Sequence, residues 1–86
     1  MQNEMGLTKT DRVLMVVLKL LEREDHWIEE QEFFQLLGDP SRSQRYKLLN
    51  DLTTTKNDRP PIFVRHELNQ SQGYALSNEM RNALGV

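Results

Sequence analysis

Between Thr8 and Arg23 the apolar side chains recur at helical spacing. Leu14, Val17, Leu18 and Leu21 fall three and four apart, Val13 and Leu20 widen the stripe, and Arg12, Lys19, Glu22 and Arg23 lie largely elsewhere. The pattern predicts an amphipathic helix over about residues 9–24 that turns this stripe to a core and leaves Met15 and Val16 off it. Thr8 and Asp11 make a capping start, because the hydroxyl accepts from exposed backbone amides and the carboxylate suits the positive helix end. Glu24-Asp25-His26 closes the helix, and Trp27-Ile28 suits a short extended bridge, with Trp27 and Phe33 expected to fill the core.

Glu29 to Leu37 predicts a second helix: carboxylates favour its first turn, and Phe33, Leu36 and Leu37, broadened by Phe34, form one apolar side. Gly38 ends it by taking the left-handed conformation, and Asp39-Pro40 blocks continuation. Ser41 then caps a third helix over about residues 42–54, whose apolar stripe is Tyr46, Leu49 and Leu52 with Leu48 beside them. Thr53 to Thr55 fades it out, and Lys56 to Pro61 is a connector that its prolines keep from being helical. Ile62 to Leu68 is rich in strand formers, with Ile62, Val64 and Leu68 on one side and Phe63, Arg65 and Glu67 on the other. A turn over Asn69 to Gly73 and a returning strand Tyr74 to Ser77 complete a hairpin. Asn78 to Leu84 predicts one or two helical turns ended by Gly85.

The chain has 86 residues, enough for one domain with a modest core and little depth for a substrate cavity. It has no cysteine, which removes disulfides, thiolate metal sites and cysteine nucleophiles. The apolar run Val13 to Leu18 falls far short of a membrane span. Glu4, and the lack of a basic residue before Lys9, argue against a secretory leader, so a cytoplasmic location is expected. The net charge of −2 conceals an asymmetry: residues 1–40 carry four basic against nine acidic side chains, whereas residues 41–66 carry six basic against two acidic. The second segment, at +4, has the sign that suits a polyanion. His26 and His66 lack metal-ligand spacing, and Glu29, Glu30 and Glu32 lack a nucleophile or phosphate loop, so neither a metal, a cofactor nor an enzyme is expected.

The run Glu32-Phe33-Phe34-Gln35-Leu36-Leu37-Gly38, then Ser41-Arg42-Ser43-Gln44-Arg45-Tyr46-Lys47-Leu48-Leu49-Asn50-Asp51-Leu52, resembles the winged helix-turn-helix domain of bacterial and phage transcription regulators. Gly73-Tyr74-Ala75-Leu76 is similar to the end of their wing, and the N-terminal modules of WYL-type regulators belong to the same general set. Arg45 stands where the family usually places a core valine, and Asp39-Pro40 adds a residue to the turn. The resemblance implies an α+β fold, a three-helix core plus a C-terminal β-hairpin wing over residues 8–77, with 78–86 a short helix or linker. It also implies sequence-specific binding of double-stranded DNA.

A major groove admits one helix, whose first residues meet base edges while nearby cations hold phosphates. The expected DNA-binding residues are Ser41, Arg42, Ser43, Gln44, Arg45 and Lys47 on the third helix, with Arg65 and His66 on the outgoing wing strand. One small module seldom reaches regulatory affinity alone, so a homodimer is expected, through Met80 and Leu84 or through Met15 and Val16. The alternative is a winged-helix protein-interaction module that docks a basic partner on its acidic front half. Salt dependence of DNA binding separates the two. Single-stranded RNA is a poorer fit, because no exposed aromatic sheet platform is apparent.

Overall fold

The computed structural model describes residues 7–55 and 58–86; Glu4, and Lys56 and Asn57 of the predicted connector, lie outside the described residues. Helix α1 (Lys9–Glu22) begins on a capping box, in which the Asp11 N–H donates to the Thr8 hydroxyl at 3.1 Å and the Thr8 N–H donates to the Asp11 carboxylate at 2.9 Å. Its buried face is rotated from the one the leucines suggested. Val16 and Leu20 are fully buried and Val17 nearly so, with Val13 packed beside them, whereas Leu14 and Leu18 are 55% and 53% exposed. Ion pairs at both ends of the helix accompany this rotation. Lys9 pairs with Asp51 and Arg23 with Glu32, so Lys9, Val13, Val16, Leu20 and Arg23 share the inner face at helical spacing.

Strand β1 (Trp27–Glu29) leads directly into helix α2 (Glu30–Leu36). Gly38 then adopts φ +94°, its N–H bonding to the Gln35 carbonyl at 3.1 Å and the Asp39 N–H to the Phe34 carbonyl at 2.9 Å. These paired bonds absorb the last helix carbonyls and turn the chain sharply. Helix α3 (Arg42–Thr53) follows from Ser41, and it buries Leu52 and packs Leu48 and Leu49 partly against the core. Tyr46, expected in that stripe, is 74% exposed. Arg45 takes the inward flank instead: its guanidinium carbon sits 4.6 Å from the centre of the Phe34 ring, and its Nε donates to the Pro40 carbonyl at 3.3 Å.

Strands β2 (Phe63–Leu68) and β3 (Ser71–Leu76) complete a three-stranded antiparallel sheet in the order β1-β3-β2. The hairpin turn is tighter than expected. Only Asn69 and Gln70 form it, at φ +54° and +67°, and two successive left-handed residues match the twist of the strands they join. Gly73 therefore lies inside β3, paired with Glu29 and His66. The face bearing Phe63, Tyr74 and Leu76 closes on Phe33, whose ring stacks on Tyr74 at 4.1 Å and meets Phe63 and Phe34 edge-on, each at 5.3 Å. Trp27, expected in the core, is only half-buried, its ring lying over Gly73.

Helix α4 (Asn78–Leu84) is capped by the fully buried Ser77, whose hydroxyl donates to the Pro61 carbonyl at 2.6 Å and accepts the Met80 N–H at 3.1 Å. Met80 packs on the core; Leu84 and Val86 are exposed. The molecule is thus a small α+β domain. Among the described residues, no helix is long and apolar enough to cross a membrane.

Candidate functional site

Helix α3 has an inward flank (Arg45, Leu48, Leu49, Leu52) and, half a turn away, an outward face on which Ser43, Lys47 and Asn50 follow one another at spacings of four and three. Arg42 and Tyr46 border that face on one side and Gln44 on the other, and all of these side chains are exposed. The N-terminus of α3 is held by a second capping box. The Gln44 N–H donates to the Ser41 hydroxyl at 3.4 Å, and the Ser41 N–H donates to the Gln44 Oε1 at 3.0 Å. Ser41 and Gln44 are therefore engaged with each other, and the Ser43 hydroxyl lies 3.4 Å from that of Ser41.

Two open clefts flank the helix, and cations line both. One, of about 260 Å³, is bordered by Arg42, Arg45 and Arg65 with Tyr46, Leu49 and Phe34, and Glu30 is the one carboxylate among its lining residues. The other, of about 370 Å³, brings Lys9 and Arg12 of α1 beside Gln44 and Lys47 of α3. Planar guanidinium groups suit phosphate and carboxylate groups bidentately, and ammonium groups hold them as point charges. Helix α3 thus lies exposed between two open clefts, each lined by basic side chains, of which Lys9 is paired with Asp51.

The sheet separates the two wing residues that the sequence offered together. Arg65 lies opposite Tyr74 and joins the arginine cleft, with its Nε donating to the Gln72 Oε1 at 3.1 Å. His66, one residue on, belongs to the other face of the strand and borders neither cleft. Burial pushes the Tyr74 phenol above its usual range; the charge of Glu30 adds to the shift and that of Arg65 opposes it.

Four contributors were missed in the sequence. Periodicity puts Tyr46 in the core stripe and singles out nothing at Asn50, although its spacing from Ser43 and Lys47 places it on their face. Lys9 and Arg12, three apart at the start of α1, were hidden in an acidic front half. Among the described residues, no group of His, Cys, Asp or Glu side chains is placed to hold a metal ion. Comparison with known proteins adds no relative: no family model matches the chain, and neither a curated protein nor a solved structure does.

Proposed function

We propose that this chain is a winged helix-turn-helix domain that binds double-stranded DNA and acts as, or within, a cytoplasmic transcription regulator. The observation that carries the reading is the exposed α3 flanked by two cation-lined clefts that draw on three separate elements, α1, α3 and β2. The element order and the β1-β3-β2 sheet support the same reading, since α2, a tight turn and α3 are followed by a hairpin beside α3.

In this arrangement Arg42, Ser43, Lys47 and Asn50 face base edges in the major groove, where Arg and Lys pair with guanine and Asn with adenine. Arg12 and Arg65 hold phosphates on either side, which fixes register without reading sequence, while Lys9 is paired with Asp51 at the edge of its cleft. Ser41 and Gln44 hold the helix N-terminus in shape, and Arg45 fastens α3 to Phe34. Two copies on paired half-sites supply the affinity that one small interface lacks. Selection of bound duplexes from a random pool tests the reading. A recovered motif with two related half-sites supports it, and a pool that never enriches overturns it.

A further inference from the structure

The face of α1 turned away from the core is apolar in its middle and acidic at both ends. Leu14, Met15 and Leu18, exposed to 55%, 40% and 53%, form one ridge at helical spacing, with exposed Asp11 about one turn before it and exposed Glu22 about one turn after. The cations of this helix are turned elsewhere. Lys9 and Arg23 reach inward to Asp51 and Glu32, Arg12 lies against Gly38, and Lys19 sits on the flank with its Nζ 3.8 Å from Glu22. Beyond the helix, Glu24 and Asp25 are exposed and extend the acidic end.

We propose that this ridge docks a helical segment of a partner protein, one whose apolar residues at spacings of three and four are flanked on both sides by Lys or Arg. Three adjoining apolar side chains on an exposed helix face supply the desolvated centre, and the carboxylates at its two ends select the sign of the partner's flanks. A second copy of this chain fits badly. Antiparallel pairing centred on the ridge sets Asp11 against Glu22, and parallel pairing sets each against its own counterpart, so like charges meet in both arrangements. Leu14, Met15 and Leu18 border neither cleft beside α3, so partner and polyanion are held at different places.

The test uses the 86-residue chain and two synthetic amphipathic peptides, identical in their leucines but flanked by lysines in one and by glutamates in the other. Backbone amide resonances are followed during titration. The lysine-flanked peptide is expected to bind saturably, to shift the amides of Leu14, Met15 and Leu18, and to bind at least about tenfold more tightly than its twin. Leu18→Asp should abolish binding. Glu22→Lys should weaken the lysine-flanked peptide and strengthen the glutamate-flanked one, narrowing the preference between them, a result that misfolding does not produce, and both variants should keep the wild-type affinity for a selected duplex. Equal binding of the two peptides, or shifts elsewhere on the domain, overturns the proposal. So does concentration-dependent sedimentation of the free protein that Leu18→Asp removes, which would assign the ridge to a second copy.

Discussion

The indole Nε1 of Trp27 donates to the backbone carbonyl of His66 at 2.8 Å, and to reach it the ring crosses the central strand at Gly73. The contact spans all three strands of the sheet. A Cβ at Gly73 would lie 2.4 Å from the indole and 2.2 Å from the Ile28 carbonyl oxygen, so a side chain there collides with both an aromatic ring and a paired backbone. The sheet therefore depends on a residue without a Cβ at this crossing, even though its φ is not in the left-handed region.

Gly73→Ala should consequently destabilise the domain by about 3 kcal/mol or more, beyond ordinary overpacking, because the ladder between β1 and β3 must part to admit the methyl group. Trp27→Phe keeps most of the ring and loses the hydrogen bond, at a cost of about 1 kcal/mol. Urea denaturation of both variants measures the difference. A Gly73→Ala protein as stable as wild type would contradict this packing.

Arg42 and Arg45, three residues apart on α3, should respond differently to alanine. Arg45→Ala removes the guanidinium over Phe34 and should lower stability by roughly 0.5–1 kcal/mol. Arg42→Ala should leave stability within about 0.5 kcal/mol. It should instead weaken a selected duplex by about 1–3 kcal/mol, with sequence preference relaxed at particular positions. Thermal melts alongside duplex titrations separate the two effects.

Gln44 permits a sharper separation. Gln44→Glu retains the side-chain oxygen that accepts from the Ser41 N–H and adds a negative charge favourable at a helix N-terminus, so stability should be kept or slightly raised. Under the proposed DNA reading that same charge repels the phosphates, so DNA affinity at low salt should fall. An affinity equal to wild type would move the nucleic acid away from the first turn of α3.

How much was legible in the sequence depended on whether a signal was local. The caps at Thr8 and Ser41, the stop at Gly38 and the order of elements needed only neighbouring residues, and they stand where the pattern put them. The rotation of α1 did not. With Val13 to Leu18, Leu20 and Leu21 all apolar, two stripes compete, and the choice between them comes from packing against α2 and β3, which the spacing within α1 does not reveal. Tyr46 was misplaced for a related reason, because Arg45 occupies the flank that periodicity gave to the tyrosine. The turn at Asn69-Gln70 was obscured by Gly73, whose need is the passing indole rather than a bend. Of the candidate site, Arg42, Ser43, Lys47 and Arg65 were readable, whereas Tyr46, Asn50 and the share contributed by Lys9 and Arg12 were not, the last two requiring the packing of α1 beside α3.

Tyr74 links the core to alkaline stability. Its phenol, pushed above the ordinary 10.0 chiefly by burial, holds its proton more firmly folded than unfolded. The folded state then binds more protons than the unfolded state at alkaline pH, so this contribution is fully present below about pH 10 and is lost as pH rises through the folded value. Tyr74→Phe should flatten the alkaline limb of a stability profile measured by urea denaturation. An unchanged limb would show that the phenol does not titrate with unfolding.

The claim on which the account rests is that α3 and its two cationic clefts hold DNA, and it is met most directly by the salt dependence of affinity for a selected duplex, read by fluorescence anisotropy. Each neutralised phosphate contributes a log–log slope of about −0.9, so contacts from both clefts predict a slope steeper than about −3. Arg65→Ala should make the slope shallower by about one unit while leaving the ranking of duplexes intact. Absence of binding at low salt, or a slope near zero for the wild type, would contradict the account.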